Sequence, residues 1–132
     1  MLELEEGARV AIGDYRRFRE AVGWDAPAAS DAAVQAALDA TWNVVAREDG
    51  ELVGIGRLLD DGAMYATIWD LIVLPGEQGH GVGRAILEKL LARASVRSIV
   101  MLVATNAGRS LYEKYGFVLE SRGSVGMLLR PE

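Results

Sequence analysis

The 132-residue chain has no cysteine, which removes several chemistries at once. A disulfide framework, a thiol nucleophile and a thiolate metal site are all excluded. His80 is the sole histidine, too few imidazoles for a transition-metal site, so no metal is expected. Hydrophobic residues make up 51% of the chain, yet no uninterrupted apolar run approaches the ~20 residues of a membrane span. The opening stretch Met1-Leu2-Glu3-Leu4-Glu5-Glu6 is acidic where a signal peptide would be basic. A cytoplasmic protein without a membrane partner is the expectation. Basic stretches interleaved with aromatics are also missing, and the formal net charge is −5, which argues against a nucleic-acid partner. Linkers, repeats and low-complexity segments are absent. Residues 1–132 therefore read as one domain, long enough for one core.

The periodicity that is present suggests an α/β chain with antiparallel strands early. Residues 2–12 hold a short first strand. Asp14 can cap a helix whose inner face is Tyr15, Phe18 and Val22, ending at Gly23. Ser30 caps a second helix with Val34, Ala37, Leu38 and Thr41 inward. Residues 42–48 and 51–59 read as strands about an Asp49-Gly50 turn, a strong hairpin signal. Asp60-Asp61-Gly62 turns the chain into a strand over 64–74. A helix over 83–94, a strand over 98–104, a helix over 107–115 and strands near 117–121 and 125–130 follow. The four methionines read as core filler.

Gln78-Gly79-His80-Gly81-Val82-Gly83-Arg84 directly follows the apolar run that ends near Leu74. Glycines on alternate positions remove Cβ atoms where the backbone bends and a ligand comes close. The helix behind them carries Ile86, Leu87, Leu90, Leu91 and Ala94 on one stripe. Its open N-terminus offers unpaired N–H groups and a favourable dipole to a phosphate or pyrophosphate, and Arg84 adds a cation. A P-loop is excluded, because Arg84-Ala85 stands where Lys-Ser or Lys-Thr is needed. The dinucleotide pattern G-x-G-x-x-G fails from both Gly79 and Gly81. Charge is also uneven. Residues 1–75 carry six Arg against fourteen acidic side chains, while 76–132 carry eight Lys/Arg against five Glu. An anionic cofactor on the second half and a cationic amine on the first would fit that division.

Gln78-x-x-Gly81-x-Gly83 resembles the acetyl-CoA pyrophosphate loop of the GNAT superfamily of N-acetyltransferases. About thirty residues later, Asn106-Ala107-Gly108-Arg109-Ser110-Leu111-Tyr112-Glu113-Lys114-Tyr115-Gly116-Phe117 resembles that superfamily's second signature: an Asn, then a short helix ending Tyr-x-x-x-Gly-Phe. Asn106 suits a helix cap and Gly116 a left-handed helix end. The resemblance covers roughly residues 42–130. It implies a mixed, mostly antiparallel central sheet with helices on both faces and a splayed parallel strand pair at the acetyl-CoA site. Acetyl-CoA would be the cofactor and coenzyme A the product. The backbone of Leu71, Ile72 and Val73, the loop from Gln78 to Arg84 (His80 and Val82 included), and Asn106, Arg109 and Tyr112 would hold the cofactor. A homodimer is common in such families.

Within the superfamily, Ala66-Thr67-Ile68-Trp69-Asp70 running into Val73-x-Pro75, with a later Gly126-Met127, resembles the plant and cyanobacterial serotonin (arylalkylamine) N-acetyltransferases. That resemblance puts Trp69 and Asp70 at the amine site and makes Tyr112 the helix tyrosine. Thr105 stands where that family carries an acidic residue. From the residues alone, Asp70 is a carboxylate inside an apolar strand, so it has a partner, emerges at a strand end, or has a job. Strict alternation would put Ile68, Asp70 and Ile72 on one face, unless a bulge intervenes. The chemistry expected is transfer of acetyl to a small-molecule primary amine by direct attack. Asp70 is the candidate base, Tyr112 the acid that protonates the thiolate, and Trp69 and Trp24 are candidate walls for an aromatic amine. His80, at a variable loop position, points to solvent or along the cofactor. The competing readings are an acetyl-CoA sensor or interaction module without efficient turnover, and a nucleotide-binding protein using the same loop.

Overall fold

Asp49 and Gly50 sit at φ of 50° and 86°. Two successive positive φ angles match the twist of a tight antiparallel hairpin. They join β2 (Trp42–Glu48) to β3 (Glu51–Asp60) in the computed structural model, which describes residues 1–95, 97, 99–119 and 122–130. β1 (Leu2–Glu6) pairs antiparallel with β2, and β4 (Tyr65–Val73) pairs antiparallel with β3. β5 (Ile99–Leu102) pairs parallel with β4 and completes a sheet in chain order β1-β2-β3-β4-β5. Over these five strands the expected pattern, antiparallel but for one parallel pair, is observed.

Helices cover both faces. α1 (Ile12–Ala21) and α2 (Asp31–Ala40) turn Tyr15, Phe18, Val34 and Leu38 onto Val45, Leu52, Ile55 and Ile72 of the sheet. Ser30 caps α2 as expected, its hydroxyl accepting from the Ala33 N–H. Asp14 does not cap α1. That helix starts two residues earlier, with Ala11 as its extended N-cap and Asp14 in its first turn. Ala37, expected inward, is exposed.

α3 (Val82–Ala94) lies on the other face, with Val82, Ile86, Leu87, Leu90 and Ala94 buried. Its close approach depends on two glycines of β3. A Cβ on Gly54 would stand 2.7 Å from Ile86 Cδ1, and one on Gly56 2.7 Å from Ile86 Cγ2 and 2.9 Å from Leu90 Cδ1. The helix therefore rests on the strand backbone itself. α4 (Arg109–Lys114) follows β5 after a short turn. Asn106 does not cap it: Gly108 is the N-cap, and Thr105 Oγ1 accepts from the Gly108 N–H. The strands expected near 117–121 and 125–130 are not formed at 117–119 or 122–130, while 120 and 121 lie outside the described residues. The apolar side chains there, Val118, Leu119, Val125, Met127, Leu128 and Leu129, are exposed. Their alternation suggests strands, but among the described residues no partner strand covers them.

Candidate active site

The site begins with a fault in β4. Arg57 pairs with Trp69 and Ile55 with Ile72, so Asp70 and Leu71 together face Gly56 alone. This is a bulge, one residue too many on β4. Asp70 absorbs it at φ 51°, a left-handed conformation that Asp tolerates better than most side chains. The simple alternation therefore fails at this point. Ile68, Leu71 and Val73 turn to the α3 face, whereas Ile72 belongs to the α1–α2 face. Asp70 is carried with Ile72 to the α1 side.

There it meets three donors. Arg57 Nη1 donates to Asp70 Oδ2 at 2.8 Å, Arg19 Nη1 to Oδ1 at 3.1 Å, and the Tyr15 hydroxyl to Oδ2 at 2.8 Å. Only 10% of the Asp70 side chain is exposed. Burial and the neighbouring Asp70 charge both push the Tyr15 phenol above its ordinary value, so it stays a donor. Arg57 is itself held elsewhere, by Thr41 Oγ1 at 3.1 Å and the Ala37 carbonyl at 3.1 Å. Thr41 donates in turn to the fully buried Asn43. Of the alternatives open to a carboxylate in this strand, Asp70 has partners, with both oxygens engaged. Nothing in the sequence pointed to Arg19, Arg57 or Tyr15 as its partners.

Parallel pairing of β4 with β5 ends at Ile68 and Leu102, while β4 runs on to Val73. Beyond that point the two strands part. A cleft of about 600 Å³ opens there, lined by Trp69, Asp70, Leu71, Ile72 and Val73 of β4 and by Leu102 and Val103. Gln78 and Gly83, from the start of α3, line it as well. So do Thr105, Ala107, Gly108, Leu111 and Tyr112 around α4, and Arg19, Val22 and Trp24 from the end of α1.

The start of α3 is built for an anion. Gly79 and Gly81 have φ of 82° and 84°, and Gly81 is a left-handed N-cap without a side-chain capping bond. The first-turn N–H groups have no partner within the helix. Gln78 ties the loop to the sheet, donating from Nε2 to the Val73 carbonyl at 3.0 Å. Arg84 turns back along the helix surface instead, its Nε donating to the Tyr115 hydroxyl at 3.1 Å and to Glu88 at 3.2 Å.

Tyr112 sits in the cleft wall, its ring edge-on to Phe117 with centroids 6.0 Å apart. Burial raises its phenol above the ordinary value, so it stays protonated at neutral pH. A half-buried, neutral hydroxyl beside a splayed strand can deliver a proton to a group that becomes anionic during reaction.

Comparison with known proteins agrees with this geometry. Residues 40–119 match the family model of the Acetyltransferase (GNAT) domain. The chain belongs to the GNAT acetyltransferases. It is 32% identical over 137 aligned residues to Histone acetyltransferase TAP1 of Glycine max, covering 95% of this chain and 59% of that protein. It is 35% identical over 80 residues to the chloroplastic Serotonin N-acetyltransferase 2 of Oryza sativa subsp. japonica, covering 59% of this chain and 40% of that one. The chain thus spans three-fifths or less of these relatives. Among solved structures, a GNAT family acetyltransferase of Streptococcus pneumoniae superimposes with a TM-score of 0.85 at 26% identity, over 99% of this chain and 98% of that one.

As a GNAT domain, the chain gathers Trp24, Trp69, Asp70, Leu71, Ile72, Val73, Gln78, Gly83 and Tyr112 around one cleft. Gly79, His80, Gly81, Val82 and Arg84 form the loop and first turn at its rim, with the His80 side chain exposed. Asn106 and Arg109 are exposed and line no part of the cleft, and Arg109 pairs with Glu113 at 3.4 Å.

Proposed function

We propose that this GNAT domain transfers the acetyl group of acetyl-CoA to the primary amine of a small molecule, by direct attack on the thioester. What supports the reading is one cleft that holds three necessary features together: freed β4 backbone, an uncapped helix N-terminus and a protonated phenol. The N–H groups at the start of α3 would take the pyrophosphate. The backbone of residues 71–73, no longer shared with β5, would hold the pantetheine arm and polarise the thioester carbonyl.

An alkyl amine with a pKa near ~10 arrives protonated and must lose one proton to attack. The new bond is amine nitrogen to acetyl carbon, and the bond broken is acetyl carbon to sulfur. The attacking nitrogen sheds a second proton as the amide forms, and the departing thiolate takes one from the Tyr112 hydroxyl. One proton is released to solvent over the whole reaction. Asp70, with both oxygens engaged by Arg19, Arg57 and Tyr15, serves in this reading to fix the cleft wall, and the amine gives its proton to water. Trp24 and Trp69 support an acceptor with an aromatic or apolar body.

Titration calorimetry with acetyl-CoA, followed by thiol release across an amine panel, tests the proposal. Binding together with amine-dependent thiol release is expected. Tight binding with no turnover on any amine would favour a sensor, and preference for ATP or NAD over acetyl-CoA would overturn the cofactor assignment.

A further inference from the structure

The acceptor end of the cleft holds one positive charge more than it neutralises. Asp70 carries a single negative charge and accepts from two guanidinium groups. Arg57 alone balances it, and all three Arg57 nitrogens are engaged, by Asp70, Thr41 and the Ala37 carbonyl. Arg19 is the surplus. Among the described residues it is also the only cation that lines the cleft, and Asp70 the only carboxylate there. Arg19 and Trp24 also border an adjoining hollow, where Glu20 and Asp25 stand with Arg16.

Arg19 is held like a recognition group. Its Nε donates to the Asp25 carbonyl at 2.8 Å and its Nη1 to Asp70 and to the Tyr15 hydroxyl. Its guanidinium lies 5.6 Å from the Tyr15 ring centre and 5.7 Å from that of Trp24. Nη2 makes no hydrogen bond among the described residues, and 22% of the side chain is exposed. A fixed guanidinium whose Nη2 is left to donate suits a carboxylate oxygen. A purely cationic acceptor, such as a diamine, would meet net repulsion instead.

We infer that the acceptor is an amine that also carries a carboxylate, an amino acid with an apolar or aromatic side chain, whose carboxylate Arg19 holds at the cleft wall. This rests on the N-acetyltransferase reading above and narrows it.

The test uses molecules that differ at one group: tryptophan, tryptophanamide and tryptamine, with the corresponding phenylalanine series. Replacing the carboxylate by an amide removes the charge and also makes the amine less basic, so reactivity governed by basicity alone would place the amide first. Recognition by Arg19 places the acid first, by about tenfold or more in kcat/KM over both partners. Arg19→Gln should erase that order and Arg19→Lys should keep part of it, with acetyl-CoA affinity and melting temperature followed in both. Preference for tryptamine or the amide in the wild-type protein, or an order unchanged by Arg19→Gln, overturns the inference and leaves the acetyltransferase reading intact. Acetyl-CoA binding with none of the six acceptors acetylated overturns the inference, and only silence across the whole amine panel overturns the acetyltransferase reading with it.

Discussion

At the scale of single residues, Tyr112 and Asp70 were both visible in the sequence, and the fold surrounds them differently. Tyr112 faces the cleft and burial keeps it protonated. Tyr112→Phe retains the ring and its contact with Phe117 while removing the proton donor. A fall in kcat of about tenfold or more is expected, with KM for acetyl-CoA little changed, because the hydroxyl acts only as thiolate develops. A kcat within twofold of wild type would make the residue structural. Asp70 is different, because its partners are fixed by the fold over sequence separations of 13 to 55 residues. No local pattern can announce such pairings. Asp70→Asn keeps the shape and tolerates the positive φ, but leaves two guanidinium groups against a neutral amide. A loss of about 2–4 kcal/mol of stability is expected, measurable by urea unfolding. Activity should fall by a factor that stays constant from pH 7 to 10. A deficit that shrinks as free amine accumulates would restore the base role to Asp70.

At the scale of elements, periodicity located most helices and strands, because each buries one face against a single neighbour. The hairpin at Asp49-Gly50, the helix after Ser30 and the helix after Gly81 were legible for local reasons of turn and cap chemistry. Two things were not. The β4 bulge inserts one residue without changing composition, so alternation read through Asp70 assigns Ile68 and Ile72 to the same face. The segments near 117–121 and 125–130 have the right alternation, but a strand needs a partner, and alternation alone cannot supply one. Gly56 joins these levels, since it lies opposite the bulge and under α3. Gly56→Ala would place a methyl 2.7 Å from Ile86 Cγ2, 2.9 Å from Leu90 Cδ1 and 3.3 Å from Leu71 Cδ1. The overpacking should cost about 1–3 kcal/mol. Moving α3 off the sheet also shifts its N-terminus, so acetyl-CoA binding should weaken alongside stability. Destabilisation with wild-type affinity, read by calorimetry, would separate the helix seat from the cofactor site.

At the scale of the molecule, the fold sets how stability responds to pH, and the clearest handle is far from the cleft. Arg97, just before β5, donates to both Asp60 oxygens at the end of β3, at 2.6 and 2.7 Å. This bond, supported by the Gly62 N–H, holds the Asp60 carboxyl below its ordinary value. Asp61 is lowered by the N–H groups of Ala63, Met64 and Tyr65, and Glu88 by the Tyr115 hydroxyl and Arg84. A carboxylate depressed in the folded state contributes stability that is present above its unfolded pKa of about 4 and is lost as pH falls through the folded value. Tyr15 and Tyr112 act at the other end. Raised by burial, they favour the fold below the unfolded phenol pKa of about 10, and that contribution is lost as pH climbs through their folded values. The melting temperature should therefore hold a plateau between about pH 5 and 9 and fall on both sides. Asp60→Asn removes the largest hydrogen-bonded partner of Arg97 and with it one source of the acid limb. The variant should melt several degrees lower at pH 7, by scanning calorimetry, and its curve should converge on that of the wild type as pH approaches 2. Two curves that stay parallel through the acid range would mean that the tie between β3 and the start of β5 contributes nothing that protonation can remove.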